Sequence, residues 1–210
     1  MVAHLIKRAR HLPLEQAIME ALSMIKGAYA FLIMTEDRMF VANDPRGLRP
    51  LSLGHLGESW IVSSETCAFD VVGAEYDREI DPGELLIISD EGVESKRFSA
   101  PIQRTLCSME YVYFSRPDSN LDGKNVHASR KRMGKSLAEE APIDADVVTG
   151  VPDSSISAAI GYAEASGIPY ELGLIKNRYV GRTFIQPSQE LREQGVKMKL
   201  SAVRGIVEIG

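Results

Sequence analysis

The stretch Asp146-Val-Val-Thr-Gly-Val-Pro-Asp-Ser-Ser-Ile-Ser-Ala-Ala-Ile-Gly-Tyr-Ala-Glu-Ala-Ser-Gly167 predicts a strand, a tight turn and a helix in succession. Its valines have the composition of a buried parallel strand: Val147, Val148 and Val151. Pro152-Asp-Ser-Ser155 predicts the turn. The apolar residues of the helix then follow at helical spacing: Ile156, Ala159, Ile160 and Ala163. Such a helix start directs backbone N–H groups at one point, where a phosphate can bind. In a plainer alternative, Asp153 or Ser154 only caps the helix.

The composition is that of an ordinary globular protein. Of 210 residues, 44% are apolar and 25% charged, and the net charge of −5 gives no reason to expect a nucleic-acid partner. Basic residues nevertheless predominate between Lys176 and Lys199, which favours a small local anion as ligand. The two cysteines, Cys67 and Cys107, form no disulfide framework. We expect a cytoplasmic protein without a membrane partner, because no apolar run is long enough to span a bilayer.

The first hundred residues predict a helix followed by a mainly antiparallel sheet. The helix covers residues 14–26. The predicted strands lie at 28–34, 39–42, 51–53, 60–62, 85–88 and 93–98. Residues 110–114 also have strand composition, and their aromatic side chains are expected in the core.

Beyond about residue 101 the pattern changes to alternating helix and strand, which is typical of a parallel sheet. A helix is expected at 125–141, with one apolar face made of Val126, Met133, Leu137 and Ala141. The next parallel strand is expected at 170–175, and the last 35 residues read as a long mobile loop, such as an active-site lid. We place a domain boundary near residues 100–106.

No complete catalytic set can be assembled from spacing alone. The four histidines are scattered, and no known nucleotide-binding or nucleophile motif occurs. Asn177-Arg-Tyr-Val-Gly-Arg-Thr-Phe184 is more informative, because Arg178 and Arg182 could close on a phosphate from two sides. A solvated connector explains the same segment equally well.

Taken together, these residues resemble the glutamine phosphoribosylpyrophosphate amidotransferase (amidophosphoribosyltransferase) family. Six segments in family order carry the resemblance: Lys26-Gly-Ala-Tyr-Ala30, Asp44-Pro-Arg-Gly-Leu-Arg-Pro-Leu51, Ser64-Glu-Thr-Cys-Ala-Phe-Asp70, Glu110-Tyr-Val-Tyr-Phe-Ser-Arg-Pro-Asp-Ser119, Thr149-Gly-Val-Pro-Asp-Ser154 and Lys176-Asn-Arg-Tyr-Val-Gly-Arg-Thr-Phe184. They span essentially the whole chain, so the resemblance does not depend on one motif.

The resemblance implies two catalytic domains of different fold class. Residues 1–105 correspond to the rear of an N-terminal-nucleophile glutaminase, an α+β fold with a mainly antiparallel sheet. Residues 106–210 correspond to the front of a type I phosphoribosyltransferase, an α/β fold that ends here in the flexible active-site loop. Enzymes of this family make 5-phosphoribosylamine from phosphoribosylpyrophosphate and glutamine, the first committed step of purine biosynthesis. They respond to purine nucleotides, and the full-length enzyme is expected to be a homo-oligomer.

Several site residues are implied by the same resemblance. Ser154 corresponds to a position at the magnesium-pyrophosphate end of the substrate, and Lys176 and Arg178 to phosphate-binding positions. Tyr179 opens the segment, up to Ser201, that closes over the substrate. Cys107 corresponds to one of four ligands of a [4Fe–4S] cluster, which one thiolate cannot hold alone.

No catalytic residue of the family is present, because the family nucleophile is an N-terminal cysteine and this chain starts with Met1. We therefore expect an inactive internal piece of the enzyme. The alternative is a short non-catalytic module that binds a purine nucleotide or phosphoribosylpyrophosphate.

Overall fold

The computed structural model describes residues 1–100, 102–181 and 187–207. The chain divides into two compact units, unit 1 (Met1–Gly123) and unit 2 (Lys124–Gly210). This division of contacts falls later in the chain than the domain boundary predicted near residue 105. None of the helices in the described residues is long and apolar enough to cross a membrane.

Unit 1 combines helices with antiparallel sheets. Its helices are α1 (Val2–Arg8), α2 (Leu14–Met24) and α3 (Cys67–Val72). Its strands are β1 (Ala30–Met34), β2 (Arg38–Asn43), β3 (Ser52–Leu56), β4 (Ser59–Ser63), β5 (Glu75–Glu79), β6 (Glu84–Ser89), β7 (Gly92–Arg97) and β8 (Asn120–Leu121). A four-stranded sheet has the order β1-β2-β6-β7, and a three-stranded sheet has the order β4-β3-β5. Every strand pair within these two sheets is antiparallel.

The four-stranded sheet is apolar on both faces because a different layer covers each one. On one face, Phe40 and Leu85 pack with Ile18 and Leu22 of α2. The neighbouring residues on the same strands point the other way, as the two-residue period of a strand requires. There Val41 and Leu86 pack with Leu53, Trp60 and Val62 of the three-stranded sheet, and with Leu51 and Ile80, which flank its strands. Unit 1 is therefore layered as helix, sheet and sheet.

Most of the predicted elements of unit 1 are confirmed. The helix at 14–26, the hairpin of 28–34 with 39–42, and the later strands are present within one to three residues of the predicted bounds. β5 was missed because its residues, Glu75-Tyr-Asp-Arg-Glu79, are mostly charged and lack a clear apolar face.

The predicted strand at 110–114 is wrong. Glu110–Phe114 is a π-helical turn, in which the N–H of Ser115 donates to the Glu110 carbonyl oxygen at 3.2 Å. The expectation that its aromatics lie in the core is also wrong, since Tyr113 and Phe114 are 60% and 51% exposed. The buried residue of this turn is the carboxylate Glu110.

Unit 2 contains the helices α4 (Val126–Glu140), α5 (Ile156–Ser166) and α6 (Gln189–Lys199) and the strands β9 (Lys124–Asn125), β10 (Leu174–Lys176) and β11 (Leu200–Ala202). α4 and α5 cross closely because each has a glycine at the crossing. A Cβ atom at Gly161 would overlap the carbonyl oxygen of Lys131, and one at Gly134 would overlap that of Ala158. Hydrogen bonds from Lys131 and Lys135 to Glu164 also join the helices and lower the pKa of that carboxyl.

The predicted apolar face of α4 is wrong except at Val126. The buried residues are Val126, Ser129, Arg130, Gly134 and Ala138, whereas Met133 and Leu137 are 43% and 52% exposed. The cause is the glycine crossing, which turns the small residues of α4 toward α5. Apolar periodicity gives weight to large side chains and therefore selected Met133 and Leu137 instead of the small residues.

The parallel sheet is represented in the described residues by one parallel bridge, between Val148 and Tyr170. β10 pairs antiparallel with β11, so the expectation of a parallel strand over 170–175 is wrong at its second half. The predicted loop over the last 35 residues is wrong at α6 and β11. Ser188 caps α6 by accepting from the N–H of Leu191, and the helix is polar on most sides, which hid it from the periodicity.

Glu84, at the start of β6, links the two sheets of unit 1. Its oxygens accept two hydrogen bonds from Arg78 of β5, at 2.9 and 2.6 Å, and one from Ser95 of β7 at 2.7 Å. The N–H of Asp81 donates a further bond at 2.7 Å. Burial raises the pKa of Glu84, but these hydrogen bonds outweigh it, and the pKa lies below its ordinary value of 4.5.

Replacing this carboxylate should destabilise unit 1. We expect Glu84→Gln to lower the free energy of unfolding by about 1–3 kcal/mol at neutral pH, since a charged acceptor of buried hydrogen bonds is lost. Because the folded pKa is lowered, the carboxylate stabilises the fold above the unfolded pKa and loses that effect as pH falls through the folded pKa. The difference between wild type and variant should therefore shrink in acid, which urea denaturation near pH 7 and about pH 3 would measure. The control is Glu94→Gln, whose side chain is 62% exposed. Equal stability of the two variants would contradict this account.

Candidate functional site

The turn before α5 begins at the parallel bridge between Val148 and Tyr170. The N–H of Val148 donates to the Pro169 oxygen, and the N–H of Glu171 donates to the Val148 oxygen, both at 2.9 Å. The hydroxyl of Thr149 accepts from the N–H of Gly173 at 2.9 Å. These bonds hold the chain just before the turn, and the turn then leads directly into α5.

The start of α5 is not capped by a side chain. Ser155 is the N-cap residue, and its hydroxyl donates to the Val151 carbonyl oxygen at 2.6 Å instead of accepting from the helix. The plainer alternative, that Asp153 or Ser154 serves only as a cap, is therefore wrong. Ser154 is half-buried in the turn, and Asp153 follows a cis peptide bond with Pro152. Among the described residues, no carboxylate caps the first N–H groups of α5. These groups carry the positive end of the helix dipole.

Lys176 reaches the same turn from β10. Its ammonium Nζ lies 2.6 Å from Oδ2 of Asp153, and the two side chains are 29% and 73% exposed. The backbone of Lys176 is held by pairing with Leu200 of β11, and the N–H of Asn177 donates to the Lys199 oxygen at 2.7 Å. Lys176 thus reaches the turn that contains Ser154 through the carboxylate of Asp153, the residue before Ser154.

Arg178 and Tyr179 follow in an exposed turn. The side-chain oxygen of Asn177 accepts from the N–H of Tyr179 at 3.0 Å, which orders the backbone there. Tyr179 is 100% exposed, and Arg178 is also exposed. Among the described residues, no ion pair involves the guanidinium of Arg178. Arg182, the second arginine of the predicted clamp, lies outside the described residues.

Cys107 lies in unit 1, where its N–H donates to the Leu48 oxygen at 3.1 Å. Cys67 is buried at the start of α3, with its sulfur 3.9 Å from Glu65 Oε2. A [4Fe–4S] cluster takes four thiolates, and the sequence has two cysteines, so the residues of this chain alone do not fit the cluster. In the described ranges, no group of three or more His, Cys, Asp or Glu side chains could hold a metal ion.

Two motifs of unit 1, within residues 44–51 and 64–70, make contacts that their sequence pattern does not reveal. Glu65 accepts hydrogen bonds from the N–H of Arg116 at 2.7 Å and the hydroxyl of Ser119 at 2.9 Å. The hydroxyl of Thr66 accepts from the N–H of Asn120 at 2.8 Å. Residues 64–66 therefore hold the segment at 116–120. The only sequence signal was a carboxylate, Glu65, followed by a hydroxyl, Thr66, before a helix. That signal does not identify residues 116–120 as the partner.

The loop at residues 44–50 holds an earlier part of the chain, at residues 105–110. Its backbone oxygens at Arg46 and Leu48 accept from Thr105 and Cys107, at 2.8 and 3.1 Å. Arg49 forms an ion pair with Glu110 at 2.8 Å, although the Glu110 side chain is only 4% exposed. The guanidinium also lies 5.4 Å from the ring centroid of Phe114. The two motifs together thus form a platform for residues 105–120.

Asp44 fixes the shape of that loop. Its buried carboxylate accepts from the N–H groups of Arg46 at 2.9 Å, Leu48 at 3.0 Å and Tyr29 at 3.4 Å. Burial, together with the charge of Asp44, raises the pKa of the Tyr29 phenol. A cavity of about 430 Å³ opens beside this loop, lined by Ala28, Tyr29, Ala30, Arg49, Pro50, Ser64, Glu65, Glu110 and Phe114.

Comparison with known proteins gives consistent matches. Residues 2–71 match a family model described as a glutamine amidotransferase domain. The chain is 73% identical over 208 residues to an amidophosphoribosyltransferase of Bacillus subtilis (strain 168), covering 99% of this chain and 44% of that protein. It is 52% identical over 209 residues to the Staphylococcus aureus (strain Mu50) amidophosphoribosyltransferase, covering 99% of this chain and 42% of that one. The chain therefore spans less than half the length of these relatives.

Solved structures agree. A structure of glutamine phosphoribosylpyrophosphate amidotransferase from B. subtilis, complexed with ADP and GMP, matches with a TM-score of 0.90 and 73% identity. The match covers 99% of this chain and 46% of that one. A second structure, of the allosteric regulatory enzyme of purine biosynthesis, gives the same TM-score and identity and is covered to 44%. The expectation that this chain corresponds to part of a longer enzyme is confirmed by these shares.

The glycine crossing that positions α5 can be tested by adding one methyl group. We expect Gly161→Ala to lower the stability of unit 2 by about 1–3 kcal/mol, because its Cβ would overlap backbone atoms of α4 that cannot rotate away. Urea denaturation followed by far-ultraviolet circular dichroism measures the effect. Gly181→Ala is the control, since no atom of the described residues lies within 4 Å of a Cβ atom at that position. Equal loss in both variants would refute the close crossing.

Proposed function

The chain belongs to the amidophosphoribosyltransferase family, and on that premise we propose that it forms part of an enzyme that makes 5-phosphoribosylamine from phosphoribosylpyrophosphate and glutamine. Within that enzyme, unit 2 supplies the side of the transferase site that binds pyrophosphate. One observation carries the proposal: Lys176 lies against the turn that leads into the uncapped start of α5.

The chemistry of this turn suits a phosphate group. A pyrophosphate oxygen can accept from the first N–H groups of α5 and from the ammonium of Lys176, and the helix dipole adds to both. Ser154 contributes a hydroxyl from the same turn. Arg178, two residues after Lys176, offers a planar fork of donors that matches phosphate oxygens.

Purine nucleotides are a second class of ligand for the same residues. The B. subtilis enzyme has been solved as a complex with ADP and GMP. Lys176 and Arg178 would bind the nucleotide phosphate here through the contacts they offer pyrophosphate. Tyr179, which is 100% exposed, can stack on a base or ribose. Competition for one phosphate position would then let the end product inhibit the enzyme.

A magnesium ion fits the turn only together with its substrate. Mg²⁺ commonly takes one or two protein ligands and fills its other positions with phosphate oxygens and water. Ser154 would be one such ligand, and the ion would neutralise charge on the departing pyrophosphate. The residues of this chain bind and orient the pyrophosphate end of the substrate.

We further propose that residues 1–105 belong to the glutaminase domain and residues 106–210 to the transferase domain. The match of residues 2–71 to a glutamine amidotransferase model supports the first assignment. The division into compact units at 123 follows from the hydrogen bonds that hold residues 105–120 on the platform. We also place the enzyme in the cytoplasm, since both cysteines are free thiols.

The rival function is that of a short module that senses purine nucleotides without catalysis. The same groups support this function as well as they support the first: the exposed Arg178 and Tyr179 and the nearby Lys176. The two proposals differ in what the chain does inside a complete enzyme, which a chimera can test.

The test replaces the matching 208 residues of the B. subtilis enzyme with those of this chain. We expect glutamine-dependent release of pyrophosphate from the chimera, and a loss of at least about tenfold in kcat/KM for phosphoribosylpyrophosphate with Lys176→Gln, corresponding to about 1.4 kcal/mol. Lys7→Gln, an exposed lysine of α1, is the control. The isolated 210-residue chain should release none, because it spans less than half the length of the relatives it matches. A folded but inactive chimera that still binds GMP would favour the rival, and pyrophosphate release by the isolated chain would contradict its predicted inactivity.

A further inference from the structure

We propose that Asp153 is a built-in competitor for the phosphate position, whose carboxylate occupies Lys176 until a phosphate ligand displaces it. The inference deepens the proposed function and rests on it, because it assigns to Asp153 the control of affinity at the same turn. Oδ2 of Asp153 lies 2.6 Å from the ammonium Nζ of Lys176. A phosphate oxygen would need the same approach to this ammonium.

The position of Asp153 suits exchange rather than support of the fold. Its side chain is 73% exposed and that of Lys176 29% exposed, and such ion pairs contribute little to stability because water screens them. Asp153 does not cap α5 either, since no side chain caps that helix. Among the described residues, the side chain of Asp153 forms one hydrogen bond, which it accepts from Lys176. The carboxylate can therefore turn into solvent with the loss of that one hydrogen bond among the described residues.

The pair has a direct consequence for affinity. A phosphate ligand must separate Lys176 from Asp153 and then remain close to a displaced negative charge. Both effects weaken binding, and both act through charge rather than through shape. The isosteric amide of asparagine keeps the shape of the turn but removes the charge, so it should strengthen binding of phosphate.

The experiment measures binding of inorganic pyrophosphate to the 210-residue chain by titration calorimetry at constant ionic strength. Five variants are compared with wild type: Asp153→Asn, Asp153→Ser, Lys176→Gln, the double variant Asp153→Asn/Lys176→Gln, and Asp146→Asn. The last is the matched control, because it makes the same change of charge at an exposed aspartate of unit 2. Circular dichroism verifies that each variant is folded, and Asp153→Ser serves as a second neutral replacement.

We expect Asp153→Asn to bind pyrophosphate about three- to tenfold more tightly than wild type, as loss of one screened competing charge allows. Lys176→Gln should weaken binding, and the double variant should show no gain over Lys176→Gln alone. An equal gain in pyrophosphate affinity for Asp146→Asn would show that the effect comes from net charge alone, and this would overturn the proposal. The proposal would also be overturned if the double variant bound pyrophosphate more tightly than Lys176→Gln alone.

The outcomes also separate this inference from the proposed function. If Asp153→Asn binds like wild type while Lys176→Gln loses binding, the anion site stands and the competitor role of Asp153 is wrong. If no variant binds pyrophosphate at millimolar concentration, both are wrong.

Discussion

The buried carboxylate of Asp44 is the constraint on which unit 1 depends. It accepts from the N–H groups of Arg46, Leu48 and Tyr29 and so fixes the loop at residues 44–50 against β1. With that loop fixed, its carbonyl oxygens are positioned to receive the backbone at Thr105 and Cys107. A buried carboxylate is tolerated where backbone donors satisfy it, and its removal would leave those N–H groups without an acceptor.

The same platform connects the proposed glutaminase region to the start of the proposed transferase region. Arg49 and Glu65 each use a charged group to hold the 105–120 segment, through Glu110 and through the N–H of Arg116. Because these contacts are charge-assisted or buried, the segment should follow any movement of residues 44–50 and 64–66. Unit 2 depends on a different contact, the glycine crossing of α4 and α5, which sets how closely the two helices pack.

Sequence could predict the elements that follow one period. α2 and the strands of the four-stranded sheet were found because apolar side chains repeat at helical or alternating spacing. Sequence did not predict the elements that depend on other interactions. β5 is mostly charged, and the turn at Glu110–Phe114 is held by a buried carboxylate that pairs with Arg49. The buried face of α4 is set by glycine contacts. At the candidate site, Ser154 and Lys176 stay predictions from the resemblance, whereas the ion pair of Lys176 with Asp153 is visible only in the structure. A contact between residues 23 positions apart has no local signature.

Backbone hydrogen exchange, followed by NMR in wild type and in Glu65→Gln, tests the platform most directly. In wild type, the N–H groups of Thr105, Cys107, Arg116 and Asn120 should all be protected, since each donates to residues 46–66. In Glu65→Gln, exchange at Arg116 should accelerate while Thr105 and Cys107 keep their protection. Exchange of all four at the rate of an unstructured peptide in wild type would contradict the account.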